Sequence, residues 1–252
     1  MLSIFKSRPD APKVDYSGSH KGRGRDYHRT FADKPGRSLM WDMEQRVLKS
    51  LIEKLELRVA LDFACGTGRI TGLLTEELPN ARVVGVDVSD SMLEVARANV
   101  PDSEFFRIDG RNMTGLFDER SVDLVTAIRF FANADPDLRE AATNEVAQIV
   151  RPGGHVIVNN HRNFWSLSYI SRRARLNAAA PGCLNSEVIG PFLEKGFRVI
   201  EHHSLGVLPQ SDDRSYLTSW NVARSVEGAN LRRISKMHSL GLNTLWLLQK
   251  PS

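Results

Sequence analysis

Cysteine is nearly absent: of 252 residues only Cys65 and Cys183 carry a thiol. Two isolated cysteines exclude a disulfide framework, and their spacing matches no zinc motif, so a reducing, cytoplasmic setting is expected. Long hydrophobic runs are missing too. No segment approaches the roughly 20 apolar residues of a membrane-spanning helix, and the apolar stretch in Met1–Lys6 is too short for a secretory signal. The expectation is a soluble chain with no membrane span. Any membrane contact is peripheral, through clusters such as Arg172, Arg173 and Arg175 or Arg232, Arg233 and Lys236, whose bland reading is a solvated helix face. An excess of one charge is also lacking. Lysine and arginine number 34 against 30 acids, a formal charge of +4, too mild without a localised patch to imply nucleic acid.

What the chain does have is a glycine turn between a strand and a helix. Val59, Ala60, Leu61 and Phe63 read as a buried parallel strand, Gly66 and Gly68 remove the Cβ atoms that would hold a ligand away, and the helix that follows offers unpaired N–H groups. A second strand, residues 81–87, ends in Asp87, roughly 20 residues on, where a carboxylate can bond the two hydroxyls of a ribose. This predicts a nucleoside cofactor. A dinucleotide site wants a third glycine three residues after Gly68, but Thr71 stands there. The turn instead opens on Asp62, and a carboxylate suits a ligand with a cationic ammonium and sulfonium better than one with two phosphates.

Elsewhere strand and helix alternate. Residues 70–78, 91–99 and 137–150 read as helices, residues 105–108, 122–127 and 155–159 as strands, the last introduced by Pro152, Gly153 and Gly154. Such alternation implies a parallel sheet covered on both faces, with ligands beyond the carboxyl ends of its strands. Residues 1–26 hold too few large apolar side chains to fold alone and read as a basic arm. Met40, Met43, Val47, Leu48, Leu51 and Ile52 recur at helical spacing and predict a helix packed on the sheet. In the last third, residues 185–194 and 215–236 look helical, while residues 197–202 and 243–249 look like strands.

The order of these motifs resembles that of the class I S-adenosylmethionine-dependent methyltransferases, in the methyltransferase type 11/25 group, from about Met40 to Gln249. The resemblance is carried by Asp62, Ala64, Gly66, Thr67 and Gly68, then Asp87 with Val88 and Ser89, then Asp109 and Gly110. The strand at 122–127 and the turn at 151–154 follow. Ala64 departs from the family, which most often has glycine there. The resemblance implies an α/β fold with a seven-stranded, mostly parallel, doubly wound sheet, helices on both faces and an antiparallel last strand. Residues 39–252 would form the methyltransferase domain, with cap insertions near 162–183 and 207–240 on the acceptor side. Residues 1–38 would form a flexible arm that can close over the cofactor.

The implied cofactor is S-adenosyl-L-methionine. Its ligands would be Asp87 and Val88 at the ribose, Asp109 and Gly110 at the adenine, and Asp62, Ala64, Gly66 and Gly68 along the amino-acid end, with Met92, Ile108 and Ile128 as apolar walls. Tyr27 and Arg37 either close on the amino-acid end or fix the entrance of the first helix. Methyl transfer from a sulfonium is an in-line displacement, so holding acceptor and methyl at roughly 3–3.5 Å is most of the catalysis. A hydroxyl acceptor also needs its proton removed. His161, at the carboxyl end of the fifth strand, is the candidate base, against the reading of a capping histidine. His202 and His203 read as structural. Arg129 either holds an anionic group on the acceptor or bonds a nearby carbonyl, and Phe130 and Phe131 form an acceptor wall.

Neighbouring chemistries are disfavoured. Amine-directed base methyltransferases resemble one another in an Asn or Asp followed by two prolines and an aromatic, and Thr126 to Phe131 lacks that run. Cys183 lies in the wrong part of the chain to attack a base, and no acid pair stands beyond strands four and five, so no metal is expected. The expected activity is methyl transfer to a small or medium-sized acceptor, an anionic one being a reasonable guess and a hydroxyl oxygen favoured. The alternatives are an NAD(P)-dependent oxidoreductase and a non-catalytic S-adenosylmethionine-binding protein.

Overall fold

Alternation of side chains along each central strand sorts the core into two layers. Ala60, Leu124, Ile157 and Leu247 face one side of the sheet, and their neighbours Leu61, Val125, Val156 and Leu248 face the other, as the two-residue period of a strand requires. The computed structural model describes residues 34–174, 182–208, 219–232 and 240–252. Its strands are β1 (Val59–Phe63), β2 (Arg82–Asp87), β3 (Glu104–Arg107), β4 (Val122–Ala127), β5 (Val150–Asn160), β6 (Arg198–Leu205) and β7 (Asn243–Gln249). They form one seven-stranded sheet in the order β3-β2-β1-β4-β5-β7-β6. β1 to β5 pair in parallel, while β7 runs antiparallel to both β5 and β6. The last strand is therefore internal, and β6 forms the edge.

The helices are α1 (Pro35–Ile52), α2 (Arg69–Glu77), α3 (Asp90–Asn99), α4 (Pro136–Ile149), α5 (Leu167–Ala174), α6 (Asn185–Glu194) and α7 (Trp220–Arg232). α1 and α2 bury Leu39, Met43, Val47, Leu48, Leu51, Ile70 and Leu74 against one face. α4 and α6 bury Val146, Ile149, Val188 and Phe192 against the other. α1 begins at Pro35, five residues before the apolar stripe at Met40, because proline fits the first helical position, where its missing N–H costs nothing. β5 also begins early, at Val150: residues 151–154 continue the strand through a register shift between Val122 and Leu124, where a tight turn was expected.

β2 and β4 leave β1 on opposite sides, so the chain reverses its order of travel between β1 and β4. A crevice opens there beyond the carboxyl ends of the strands. Of the expected arm, residues 1–33, Tyr27 included, lie outside the described residues, as do parts of both expected caps. No described helix is long and apolar enough to cross a membrane.

Candidate cofactor cleft

Asp87, the last residue of β2, joins the two halves of the cleft. One carboxylate oxygen accepts the backbone N–H of Gly66 at 2.9 Å and the other accepts that of Ser89 at 2.9 Å. The acid thereby draws the glycine turn toward the end of β2 and also sets the turn into α3. Gly66 has φ +56°, and a Cβ built on it would meet nothing within 4 Å. The protein leaves that direction open at the point where a cofactor has to approach the backbone. This is a cradle that a side chain would fill.

The cleft beside it, about 370 Å³ and open to solvent, is lined by Phe63, Ala64, Asp87, Val88, Ile108, Asp109, Gly110, Arg111, Phe130 and Leu138. Phe63, Ala64, Val88, Ile108, Phe130 and Leu138 supply apolar wall and Asp87, Asp109 and Arg111 supply charged groups, a lining that suits a base attached to a sugar. Phe63 and Phe130 meet edge to face with ring centroids 4.6 Å apart. Gly110 is where it is because of Phe63: an added Cβ would lie 2.6 Å from the ring's Cζ. Asp109 holds Arg111, through the Arg111 N–H at 3.1 Å and the guanidinium at 3.3 Å.

Sequence reasoning thus brings Ala64, Gly66, Asp87, Val88, Asp109 and Gly110 to one place. Ile108, expected as a wall, lines the cleft as well, whereas a Cβ on Gly68 would lie 3.2 Å from Ala96 of α3, so that glycine serves the approach of the helix; the remaining expected contacts are not in the lining. Asp62 is buried, and its carboxylate accepts the hydroxyls of Thr71 at 2.7 Å and Thr126 at 2.9 Å, so it braces β1 against α2 and β4 beneath the turn. Thr71, at the third-glycine position of a dinucleotide site, has its hydroxyl committed to that bond. Met92 is buried on α3 and Ile128 packs toward α1, and neither is among the residues lining the cleft. Arg37 lies in the first turn of α1. Phe63, Phe130 and Leu138 line the cleft without having been assigned to the cofactor; their place at strand ends beside the turn was the available signal for the first two.

On the acceptor side, His161 follows β5 as expected. Its Nδ1 is buried and meets no hydrogen-bond partner among the described residues. Burial, then the charges of Arg129 and Arg162, hold the imidazole well below the usual histidine range, so the ring is neutral at physiological pH. Arg162 donates to the side-chain oxygen of Asn133 at 2.8 Å. Arg129 takes a course not foreseen in the sequence: its guanidinium lies on the fully buried Glu44 carboxylate of α1, at 3.2 and 3.3 Å. Phe131 is wholly buried between Phe130 and Phe192, a core residue with no place in the wall. Of the other histidines, His203 bonds Glu201 at 2.7 Å on β6. Both cysteines are buried and unpaired, and burial pushes the Cys183 thiol up to about 12. No group of residues suited to a metal ion occurs among the described residues.

Residues 60–154 match the family model of a methyltransferase domain. This stretch, which holds the glycine turn and Asp87, is similar to the class I S-adenosylmethionine-dependent methyltransferases. A trans-aconitate 2-methyltransferase of Azoarcus sp. (strain BH72) is 35% identical over 147 residues, 56% of this chain and 53% of that protein. A demethylmenaquinone methyltransferase of Thermotoga maritima is 29% identical over 129 residues, 50% and 55% of the two chains. The chain thus spans about half the length of the curated relatives it matches. Among solved structures, the magnesium protoporphyrin IX methyltransferase of Synechocystis PCC 6803, with bound S-adenosylhomocysteine, superposes with a TM-score of 0.61 at 13% identity, covering 91% of this chain and 95% of that one. The PH0226 protein of Pyrococcus horikoshii OT3 gives 0.57 at 18% identity, covering 84% and 91%. Both likenesses concern the fold.

Proposed function

We propose that the chain binds S-adenosylmethionine in the cleft and transfers its methyl group to a small or medium-sized acceptor, a hydroxyl oxygen in the favoured case. When bound, the cofactor supplies a methyl group on a positively charged sulfur, ready for in-line displacement. The chain's part is to hold it and to exclude water. Asp87 takes the ribose hydroxyls, Val88, Ile108 and Phe130 enclose the adenine, Asp109 and Gly110 meet its polar edge, and Ala64, Gly66 and Gly68 let the amino-acid end run along the turn. The observation that carries this reading is the open space in front of Gly66, bordered by the carboxylate that already organises the turn.

On the acceptor side His161 is the proposed base. A neutral imidazole can accept a proton, and a negative charge on an arriving acceptor would offset the burial and the guanidinium charges that otherwise oppose its protonation. Arg162 beside it supplies positive charge suited to an anionic acceptor, in line with the relative named for trans-aconitate, while the charge of Arg129 is met by Glu44. The relative named for demethylmenaquinone has a different acceptor, so the family alone does not choose one. The segments 162–183 and 207–240 are proposed as the acceptor cap. The Asn163 and Leu167 N–H groups of the first segment bond the carbonyls of Leu242 and Leu240, which ties the start of α5 to the approach of β7. The two unpaired cysteines suit a reducing cytoplasm.

The test is calorimetric titration with S-adenosylhomocysteine and, separately, NADH. The wild-type chain is expected to bind the first alone. Gly66→Ala is expected to lose about 1–2 kcal/mol of stability, because its φ of +56° is one that a side chain resists, and, with its Cβ pointing into the open space, to bind S-adenosylhomocysteine at least about tenfold more weakly. Equal affinity in wild type and variant would remove the turn from the site. Screening pooled metabolites with saturating cofactor, read as a mass gain of one methyl group, then identifies the acceptor.

A further inference from the structure

Arg129 is one of three residues other than glycine with positive φ among the described residues, at +66°. It follows β4 and Ile128 and precedes Phe130, the ring that closes one wall of the cleft. A side chain with a Cβ holds a left-handed bend only where its surroundings compel it. Here the compulsion is a closed ring of hydrogen bonds. The Arg129 N–H donates to Asn159 Oδ1 at 2.6 Å, and Asn159 Nδ2 donates to Asn243 Oδ1 at 2.9 Å. Asn243 Nδ2 donates to Glu44 Oε1 at 2.6 Å, and the Glu44 carboxylate receives the guanidinium of Arg129 itself.

The ring runs in only one sense. Asn159 has to turn its oxygen to the Arg129 N–H, which aims its amide nitrogen at the Asn243 oxygen and so aims the Asn243 nitrogen at a carboxylate. Glu44 Oε1 accepts from both Asn243 and Arg129 while Oε2 accepts from Arg129 alone, so an amide at position 44 would keep the first oxygen but lose the charge and turn an NH₂ donor toward the guanidinium. Glu44, Asn159 and Asn243 are all buried, and they stand on α1, β5 and β7. The ring thus converts the packing of α1 on the sheet into a fixed backbone angle at the end of β4. A bond from Asn133 Nδ2 to the Arg129 carbonyl at 2.7 Å holds the other side of the bend.

We propose that Glu44 is a positioning residue for the cofactor cleft, which, by holding Arg129 in its left-handed bend through this ring, fixes Phe130 against Phe63 as the cleft wall. The inference rests on the reading of that cleft as the S-adenosyl site. It assigns a role in cofactor binding to a helix that contributes no side chain to the cleft lining. It also explains a wholly buried carboxylate at a position where an apolar residue would fit the stripe of α1.

The experiment compares variants that separate the bend from the charge. Glu44→Gln is expected to weaken S-adenosylhomocysteine binding about tenfold, the scale of one lost charge-assisted bond. Two charge-neutral doubles follow, Glu44→Gln with Arg129→Gly and Glu44→Gln with Arg129→Val. Glycine adopts the bend unaided whereas a β-branched residue resists it, so the glycine double is expected to return to within roughly threefold of wild type and the valine double to stay weak. Thermal melts run alongside; a role in stability alone would make affinity follow melting temperature. Equal affinities for the two doubles overturn the proposal, as does wild-type affinity in Glu44→Gln. Should the valine double fail to fold, recovery from Glu44→Gln to the glycine double decides the matter. A wild-type chain that binds no S-adenosylhomocysteine overturns the reading of the cleft itself.

Discussion

Thr71 gives its hydroxyl hydrogen to the Asp62 carboxylate at 2.7 Å, and through that bond α2 is fastened to the end of β1 beneath the glycine turn. Burial raises the Asp62 pKa to about 7, only partly countered by the hydroxyls of Thr71 and Thr126. Between about pH 4 and pH 7 the folded chain therefore holds a proton that the unfolded chain has released, so this group's contribution to stability falls as pH rises across that window and is constant above it. Asp62→Asn removes the ionisation. The stability of the variant relative to wild type is expected to rise from about pH 4.5 to 7.5, with a ceiling on the order of 4 kcal/mol for a shift of this size. Denaturant melts at several pH values measure it, and a difference independent of pH would contradict the raised pKa.

Asp87 has two duties, the turn at Gly66 and the proposed ribose hydroxyls, and they respond differently to substitution. Asp87→Ala is expected to weaken S-adenosylhomocysteine binding by about 1.5–3 kcal/mol, the range for hydrogen bonds to a charged group. Asp87→Asn keeps one oxygen for Gly66 or Ser89 and is expected to fall between. Calorimetry on both variants checks the order, and an alanine variant with unchanged affinity would leave Asp87 a purely structural acid.

His161 is expected to stay neutral at and above neutral pH, because burial and two neighbouring guanidinium groups all oppose its protonation. Ring chemical shifts of labelled histidine are the direct measurement. Once an acceptor is in hand, His161→Gln is expected to slow methyl transfer to a hydroxyl by about 10²–10⁴-fold, with cofactor affinity little changed. A rate loss confined to the cofactor KM would argue against its role as the base.

The sheet and the glycine turn were legible because each rests on a local pattern. Apolar runs of strand length, glycines at a strand end and an acid at the end of the next strand are all written within short windows, and the seven-stranded, mostly parallel sheet with an antiparallel last strand followed from the alternation and the family likeness. Asp62 was readable as important but not as buried, since a carboxylate at a strand's end gives no sign of which way it faces. Only Thr126, 64 residues further on, and Thr71 decide it. Glu44 was invisible for the same reason, magnified: its partners are Arg129 and Asn243, and no window holds all three. The polar residues most easily misread were those whose partners come from another strand or helix.

Ala64 is the family's departure from glycine, and its backbone shows what that departure costs. Its φ is +56°, a region in which a Cβ crowds the following carbonyl, at a cost of about 1–2 kcal/mol. Glycine removes that cost but gains freedom in the unfolded chain, which returns about 0.5–1 kcal/mol against it. Ala64→Gly is therefore expected to leave stability unchanged or raise it by about 1 kcal/mol, unlike most glycine substitutions at a strand end. The lost methyl group lines the cleft, so cofactor affinity should move by no more than about threefold, the scale of one partly buried methylene. Paired denaturant melts and S-adenosylhomocysteine titrations measure both. A loss of more than about 1 kcal/mol in stability would mean that the left-handed turn at position 64 is not under strain.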